Sequence, residues 1–252
     1  MIKSFKIFES NLEIEKICKN LGIEDFQIVD GLVNVLGDVD ISDKELTRIP
    51  VKFGRVEGNF DCSNSQLTSL EGSPQSVGGG FGCSDNQLTS LEGSPQSVGG
   101  YFDCRNNQLT SLEGAPQSIG RGFDCCNNQL THLEGGPEVV GEYFDCSNNQ
   151  LTSLEGAPRS VGGGFYCNNN QLTTFRGIPE YSLNEEKTFY CNENPIHEIY
   201  KLFNTPKCID LINEYEVIGD GVVSRVRLEE VFLELGLVVP KNLEFKNYKL
   251  VG

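Results

Sequence analysis

The chain has 252 residues, with 20 Lys and Arg against 36 Asp and Glu, 10 Cys and only 2 His. The formal net charge of −16 excludes the basic face that a nucleic-acid backbone demands and disfavours an anionic membrane surface. An apolar content of 38% together with 28 glycines is that of a globular chain, long enough to bury a sizeable core.

The opening stretch, MIKSFKIFESNLEIEK, carries charges inside its apolar run and does not read as a secretory signal. No apolar run approaches the length of about 20 residues that a membrane-spanning helix needs. Residues 11–21 predict a short helix, with Asn11 as N-cap, Leu12, Ile14, Ile17 and Leu21 as its apolar face and Gly22 as its stop. QIVDGLVNV then predicts a hairpin around Asp30-Gly31. Residues 1–36 are thus expected to form an N-terminal cap.

Residues 37–196 are built from a repeat. Cys62, Cys83, Cys104, Cys125, Cys146 and Cys167 are each 21 residues apart, and Cys191 follows after a three-residue insertion. A degenerate first unit starts at Val39, 21 residues before Phe60, so eight turns are expected. The common skeleton is Phe, then Cys at +2, Asn at +5, Leu at +7 and Leu at +10, as in Phe102, Cys104, Asn107, Leu109 and Leu112, with Lys44 and Ser65 at the Asn position of the first two turns. Phe and Cys two apart face the same side of a strand. A unit this short leaves no room for a full crossover helix, so a short strand, a turn and an extended or 3₁₀ return are expected. Pro74, Pro95, Pro116, Pro137, Pro158 and Pro179 block helix in that return. Stacked copies lie about 4.8 Å apart and bring like residues into rows.

Residues 197–252 are expected to cap the other end, since a solenoid must cover its terminal cores. IHEIYKLF and PKCIDLINEY read as helices, EVIGDGVV as a hairpin, and Ser224 to Gly236 as a capped helix.

The skeleton of Phe102, Cys104, Asn107, Leu109 and Leu112 resembles the leucine-rich repeat pattern L-x-L-x-x-N-x-L-x-x-L, and Pro116 to Ile119 resembles the short bacterial type. A departure is the extra residue before the next Phe, filled by pairs such as Gly99-Gly100. The resemblance implies an α/β solenoid with a parallel sheet and small α+β caps. It also implies that the Asn row (Asn86, Asn107, Asn128, Asn149, Asn170, Asn194) satisfies backbone groups at the strand ends, and that the outward strand face is a concave binding surface. The FDCSNNQLTSLEGAP units, DGLVNVLGDVDIS and NPIHEIYKLF further resemble leucine-rich repeat proteins of large tailed phages, which implies the host cytoplasm or the virion as a setting. The start MIKSFKIFES is similar to N-terminal tags of head-packaged phage proteins, with Ile7-Phe8-Glu9 fitting a processing pattern.

Three rows of side chains are candidates for function. The cysteine row reads as buried reduced thiols, because parallel side chains do not reach disulfide geometry and Cys serves as a small buried hydrophobe. A reducing, cytoplasmic compartment follows. Cys126 lies one step past Cys125 and is expected to face outward. Glu71, Glu92, Glu113, Glu134 and Glu155 form a row that either splays into solvent, bonds to neighbouring turns or holds cations such as calcium. Strand positions alternating with Phe and Cys point outward: Asp61, Asp103, Asp124, Asp145, Tyr166 and Tyr190 just after Phe, Tyr101 and Tyr143 just before it, and Arg105 and Cys126 just after Cys. These positions vary between copies while the core positions barely do, and they suit a protein partner with a basic surface. The two histidines, His132 and His197, are isolated, and no phosphate loop or nucleophile elbow occurs. A monomeric, non-enzymatic interaction module is therefore expected, with no cofactor. A virion structural or head-packaged component and a cation-binding repeat protein are the alternatives.

Overall fold

Strands of two residues do not persist alone, but a 21-residue period sets each beside its own copy. In the computed structural model, which describes residues 2–179, 188–203, 205 and 207–252 and side chains from Ser10 onward, this stacking builds a parallel β-solenoid of about seven turns. The front sheet has eight strands: Val39–Asp40, Phe60–Asp61, Phe81–Gly82, Phe102–Asp103, Phe123–Asp124, Phe144–Asp145, Phe165–Tyr166 and Phe189–Tyr190. Every neighbouring pair is parallel and in register, Phe beside Phe from Phe60 to Phe189. The eighth strand starts no further coil. Pro195 follows it, and the chain turns into helix at His197, so eight strands enclose fewer than the eight turns expected.

The return segment also forms a sheet, which the repeat pattern did not predict. Ser76–Val77, Ser97–Val98, Ser118–Ile119, Val139–Val140 and Ser160–Val161 pair in parallel, preceded by Leu32–Val35 and Phe53–Val56. The reason is periodicity again, since any extended stretch repeated every 21 residues lies beside its copy. Among the described residues no repeat contains a helix, so the expected α/β solenoid is corrected to a parallel β-solenoid with a few short helices towards its ends.

Between the two sheets lies the core. The front sheet contributes Phe60, Phe81, Phe102, Phe123, Phe144 and Phe165 and the Cys row, all essentially inaccessible. Consecutive Phe rings from Phe60 to Phe165 sit 5.2–5.6 Å apart. The back sheet contributes Val77, Val98, Ile119, Val140 and Val161, and the connecting turns contribute the two Leu rows. The Asn row acts as expected. The Nδ2 of Asn128 donates to the carbonyls of Cys104, Cys125 and Cys126 at 3.1–3.2 Å, and its Oδ1 accepts from the Leu109 N–H at 3.0 Å. One amide thereby ties each turn to the one before it. The residue preceding it, as in Asn106, Asn127 and Asn148, holds φ at 54–55°, a left-handed conformation that Asn tolerates better than most residues.

Helix α1 runs over Ile2–Leu21, nine residues longer than predicted, because residues 2–10 contain no Gly or Pro to stop it. The candidate tag Ile7-Phe8-Glu9 lies outside the described side chains. Gly22, at φ +79°, ends α1, and the Ile23 N–H reaches back to the Cys18 carbonyl at 2.9 Å. The predicted hairpin forms, Phe26–Val29 against Leu32–Val35, with Asp30 and Gly31 both at positive φ. At the other end come α2 (His197–Phe203), α3 (Lys207–Glu214), α4 (Arg225–Glu234) and a three-stranded sheet of Ile218–Gly219, Val222–Ser224 and Lys249–Val251. Ser224 caps α4 as predicted, accepting from the Arg227 N–H. The Tyr200 ring meets Phe189 at 5.6 Å, and the Tyr248 hydroxyl donates to the Thr173 carbonyl at 3.0 Å. Tyr200 thus packs on the last ring of the Phe row.

Candidate functional site

The row just after Phe carries aspartates for a local reason. The Oδ1 of Asp61, Asp103, Asp124 and Asp145 accepts from the N–H two residues on, at 2.8–3.2 Å. This turn ends each short strand. It leaves the second oxygen of each carboxylate for other work, and three of the carboxylates stand on adjacent turns: Asp103, Asp124 and Asp145, paired residue by residue across the sheet. Asp124 is buried, with 7% of its surface exposed, and its neighbours Asp103 and Asp145 are half-buried.

Arg105 is the one cation of these three outward rows. Its guanidinium lies 3.4 Å from Asp103 and 3.5 Å from Asp124. It does not neutralise the cluster. Burial pushes the Asp103 carboxyl up to about 6, against the pull of the Arg105 N–H and guanidinium. Burial also raises Asp145, which makes no ion pair among the described residues. The Cys126 thiol stands part-buried beside Asp124, and burial followed by the hydrogen bond to Asp124 pushes it up, so it is no activated nucleophile. Asp124, Cys126 and Asp145 bring their ligand atoms within 4.8 Å of one another. Two oxygens and a sulfur at that spacing are a donor set for a divalent ion of borderline softness.

Next to the carboxylates runs a strip of tyrosines. Tyr101 and Tyr143 come from turns two apart, yet their ring centroids are 6.0 Å from each other. Gly122 lies between them in the same row and is buried, and a Cβ there would run into the Tyr143 ring. The missing side chain is what lets Tyr143 lean across a whole turn. The strip continues from Tyr143 to Tyr166 at 6.4 Å and from Tyr166 to Tyr190 at 5.6 Å. Tyr101 and Tyr190 are 37% and 46% exposed, so aromatic surface remains open to solvent. Burial pushes the Tyr143 hydroxyl up to about 12, with Asp124 and Asp103 adding to it.

The structure thus brings Tyr101, Asp103, Arg105, Asp124, Cys126, Tyr143, Asp145, Tyr166 and Tyr190 onto one sheet face, with Asp61 two turns before Asp103. Two further members were not expected from sequence. Arg121 lies 4.9 Å over the Tyr101 ring and donates from Nε to Glu142 Oε1 at 2.9 Å. The Tyr101 hydroxyl donates to the other oxygen of Glu142 at 2.9 Å. A signal for this pair was present: Arg121 and Glu142 fill a slot held by glycine in Gly79, Gly100 and Gly163, 21 residues apart and of opposite charge.

The glutamate row behaves differently. Glu71, Glu92, Glu113, Glu134 and Glu155 are all exposed, and Glu71 meets Lys52 at 3.4 Å. Among the described residues they form no cluster of three that could hold an ion. The thiols of Cys62, Cys104, Cys125, Cys146 and Cys167 donate to a carbonyl of the next turn at 3.2–3.5 Å, and burial pushes each of them up. All ten cysteines are free thiols. Among the described residues no helix is long and apolar enough to cross a membrane. No protein-family model matches the chain, and no curated protein matches it.

Proposed function

We propose that the chain is a non-enzymatic protein-interaction module that binds a partner with a basic surface through the outward face of its front sheet. The observation that carries this reading is the continuous strip Tyr101–Tyr143–Tyr166–Tyr190 lying beside Asp103, Asp124 and Asp145, with Arg105 as the one cation in those rows. Tyrosine brings a large apolar body and a polar tip at low entropic cost, which suits protein interfaces. Half-buried carboxylates with too few cations favour a partner that supplies them. The leucine-rich repeat identity belongs to this reading. It is supported by the 21-residue skeleton and by an Asn that bonds the strand end, as in that family. The likeness to tailed-phage proteins would set the binding in the host cytoplasm or in the particle, where the unpaired thiols suit a reducing medium.

The test is capture from a host lysate on immobilised wild-type protein and on a Tyr143→Ala, Asp145→Lys double variant, at low and at physiological salt. A protein held by the wild type, lost by the variant and weakened by salt is the expected result. Identical captures on both baits would remove the face from consideration.

A further inference from the structure

Exposed apolar side chains are unevenly spread over the molecule. Of the eleven large ones among the described residues, five lie within residues 226–251: Val226, Leu233, Leu237, Val238 and Val251. Helix α4 buries Leu228, Val231 and Phe232, the last against the ring of Phe203. Val226 and Leu233, seven residues apart, stand on its opposite face, 57% and 71% exposed. Leu237 and Val238, both exposed, follow directly after the helix end. The charges of α4 are ordered against its dipole. Arg225 and Arg227 open the helix and Glu229, Glu230 and Glu234 follow, with no acid in the first turn and no base in the last. A helix dipole favours the reverse. Arg225 pairs with Glu229, and Arg227 reaches Glu216 through its Nη1. Glu230 and Glu234 make no ion pair among the described residues. Arg227, Glu230 and Glu234, spaced three and four apart, share one flank of the apolar stripe.

We infer that a second copy of the chain packs on this stripe, α4 against α4 and antiparallel about a two-fold axis, so that the protein is a dimer in place of the monomer expected from the sequence. A two-fold axis requires a patch that complements itself, each residue touching on the other copy the residue that touches it in return. With the axis at the middle of the stripe, Val226 of each copy meets Leu233 of the other. The charged flank then meets itself reversed, and Arg227 falls between Glu230 and Glu234 of the other copy. The order of charge that opposes the dipole within one helix thereby becomes attraction between two. One helix face is a small contact beside the roughly 800 Å² per partner of a standard complex, so the dimer is expected to be weak and concentration-dependent.

Sedimentation velocity over about a hundred-fold range of micromolar concentration tests this. The wild type is expected to move from the mass of one chain towards that of two as concentration rises. Leu233→Asp, at an exposed position where the melting temperature should not change, should stay at one chain throughout. Arg227→Glu, and separately Glu230→Arg with Glu234→Arg, should each weaken self-association by roughly 10-fold, since the axis doubles every repulsive contact. An equimolar mixture of these two proteins should restore it, because both flank contacts of the mixed pair again join opposite charges. A wild type that sediments as one chain at every concentration overturns the inference. So does a Leu233→Asp protein that associates like the wild type, or a mixture that associates no better than its two components.

Discussion

Ser65 occupies the position that Asn86, Asn107 and Asn128 fill in later turns, and it does the work of none of them. Its hydroxyl is buried without a hydrogen-bond partner. An Asn there would meet the same surroundings one turn earlier: the carbonyls of Ile41, Cys62 and Ser63 and the N–H of Leu46. Ser65→Asn should therefore stabilise the protein by about 1 kcal/mol, the net value of an ordinary buried hydrogen bond, read from urea denaturation. Asp103 makes a second prediction. Its folded carboxyl is raised to about 6, above the ordinary value, because burial outweighs the help from Arg105. Ionisation is thus harder in the folded state, and Asp103 opposes folding at pH 7. That opposition fades as the pH falls through about 6 and is gone below the ordinary carboxylate range near 4. Asp103→Asn should raise the melting temperature at pH 7 and leave it unchanged near pH 4. A variant that melts lower at pH 7 would mean that the pair with Arg105 is the stronger effect.

At the level of the element, the glycines at the end of each back strand are set by neighbouring turns and not by their own conformation. Gly120 has ordinary negative φ, yet a Cβ on it would run into the carbonyl oxygen of Gly99. Gly99 and Gly141 stand in the same relation to the carbonyls of Gly78 and Gly120. Here, where the chain crosses from back sheet to front sheet, successive coils are in close backbone contact. Gly120→Ala should cost about 1–3 kcal/mol, as overpacking against rigid backbone does, seen as a lower urea midpoint. Gly22 ends a helix and Gly31 sits in the turn of a hairpin, both with open space around their Cα atoms, and they owe their place to positive φ instead. The same residue type thus answers two separate demands, and only the second could be read from local sequence.

For the whole molecule, stacking makes stability a sum over units and their interfaces. Removing residues 102–122, one full unit of 21, joins Tyr101 to Phe123 and leaves Phe81 to pair with Phe123 in the register that Phe102 held. That protein should fold, unfold in one transition and show a smaller urea dependence, because it buries less surface. Removing only residues 103–122 places Phe123 in the outward Asp row and turns every following core residue to solvent. This second protein should fail to give a cooperative transition by circular dichroism.

The period of Phe, Cys, Asn and Leu by itself determined the stacked strands, the Phe and Leu rows of the core, the extended return and the set of side chains that face outward. These depend on repetition and alternation, which are properties of one chain read along its length. The Asn ladder and the Asp30-Gly31 turn were equally readable, because their partners are fixed by register or lie close in sequence. Only the tertiary structure decided that the return segments form a second sheet and that eight strands close about seven turns. Only it decided that Tyr143 leans over Gly122 to meet Tyr101, that Arg121 stacks on Tyr101, and that Arg105 serves two aspartates from different turns. Those contacts depend on how long side chains tilt across neighbouring turns. The repeat sets the spacing of that surface, and the tilt sets its chemistry.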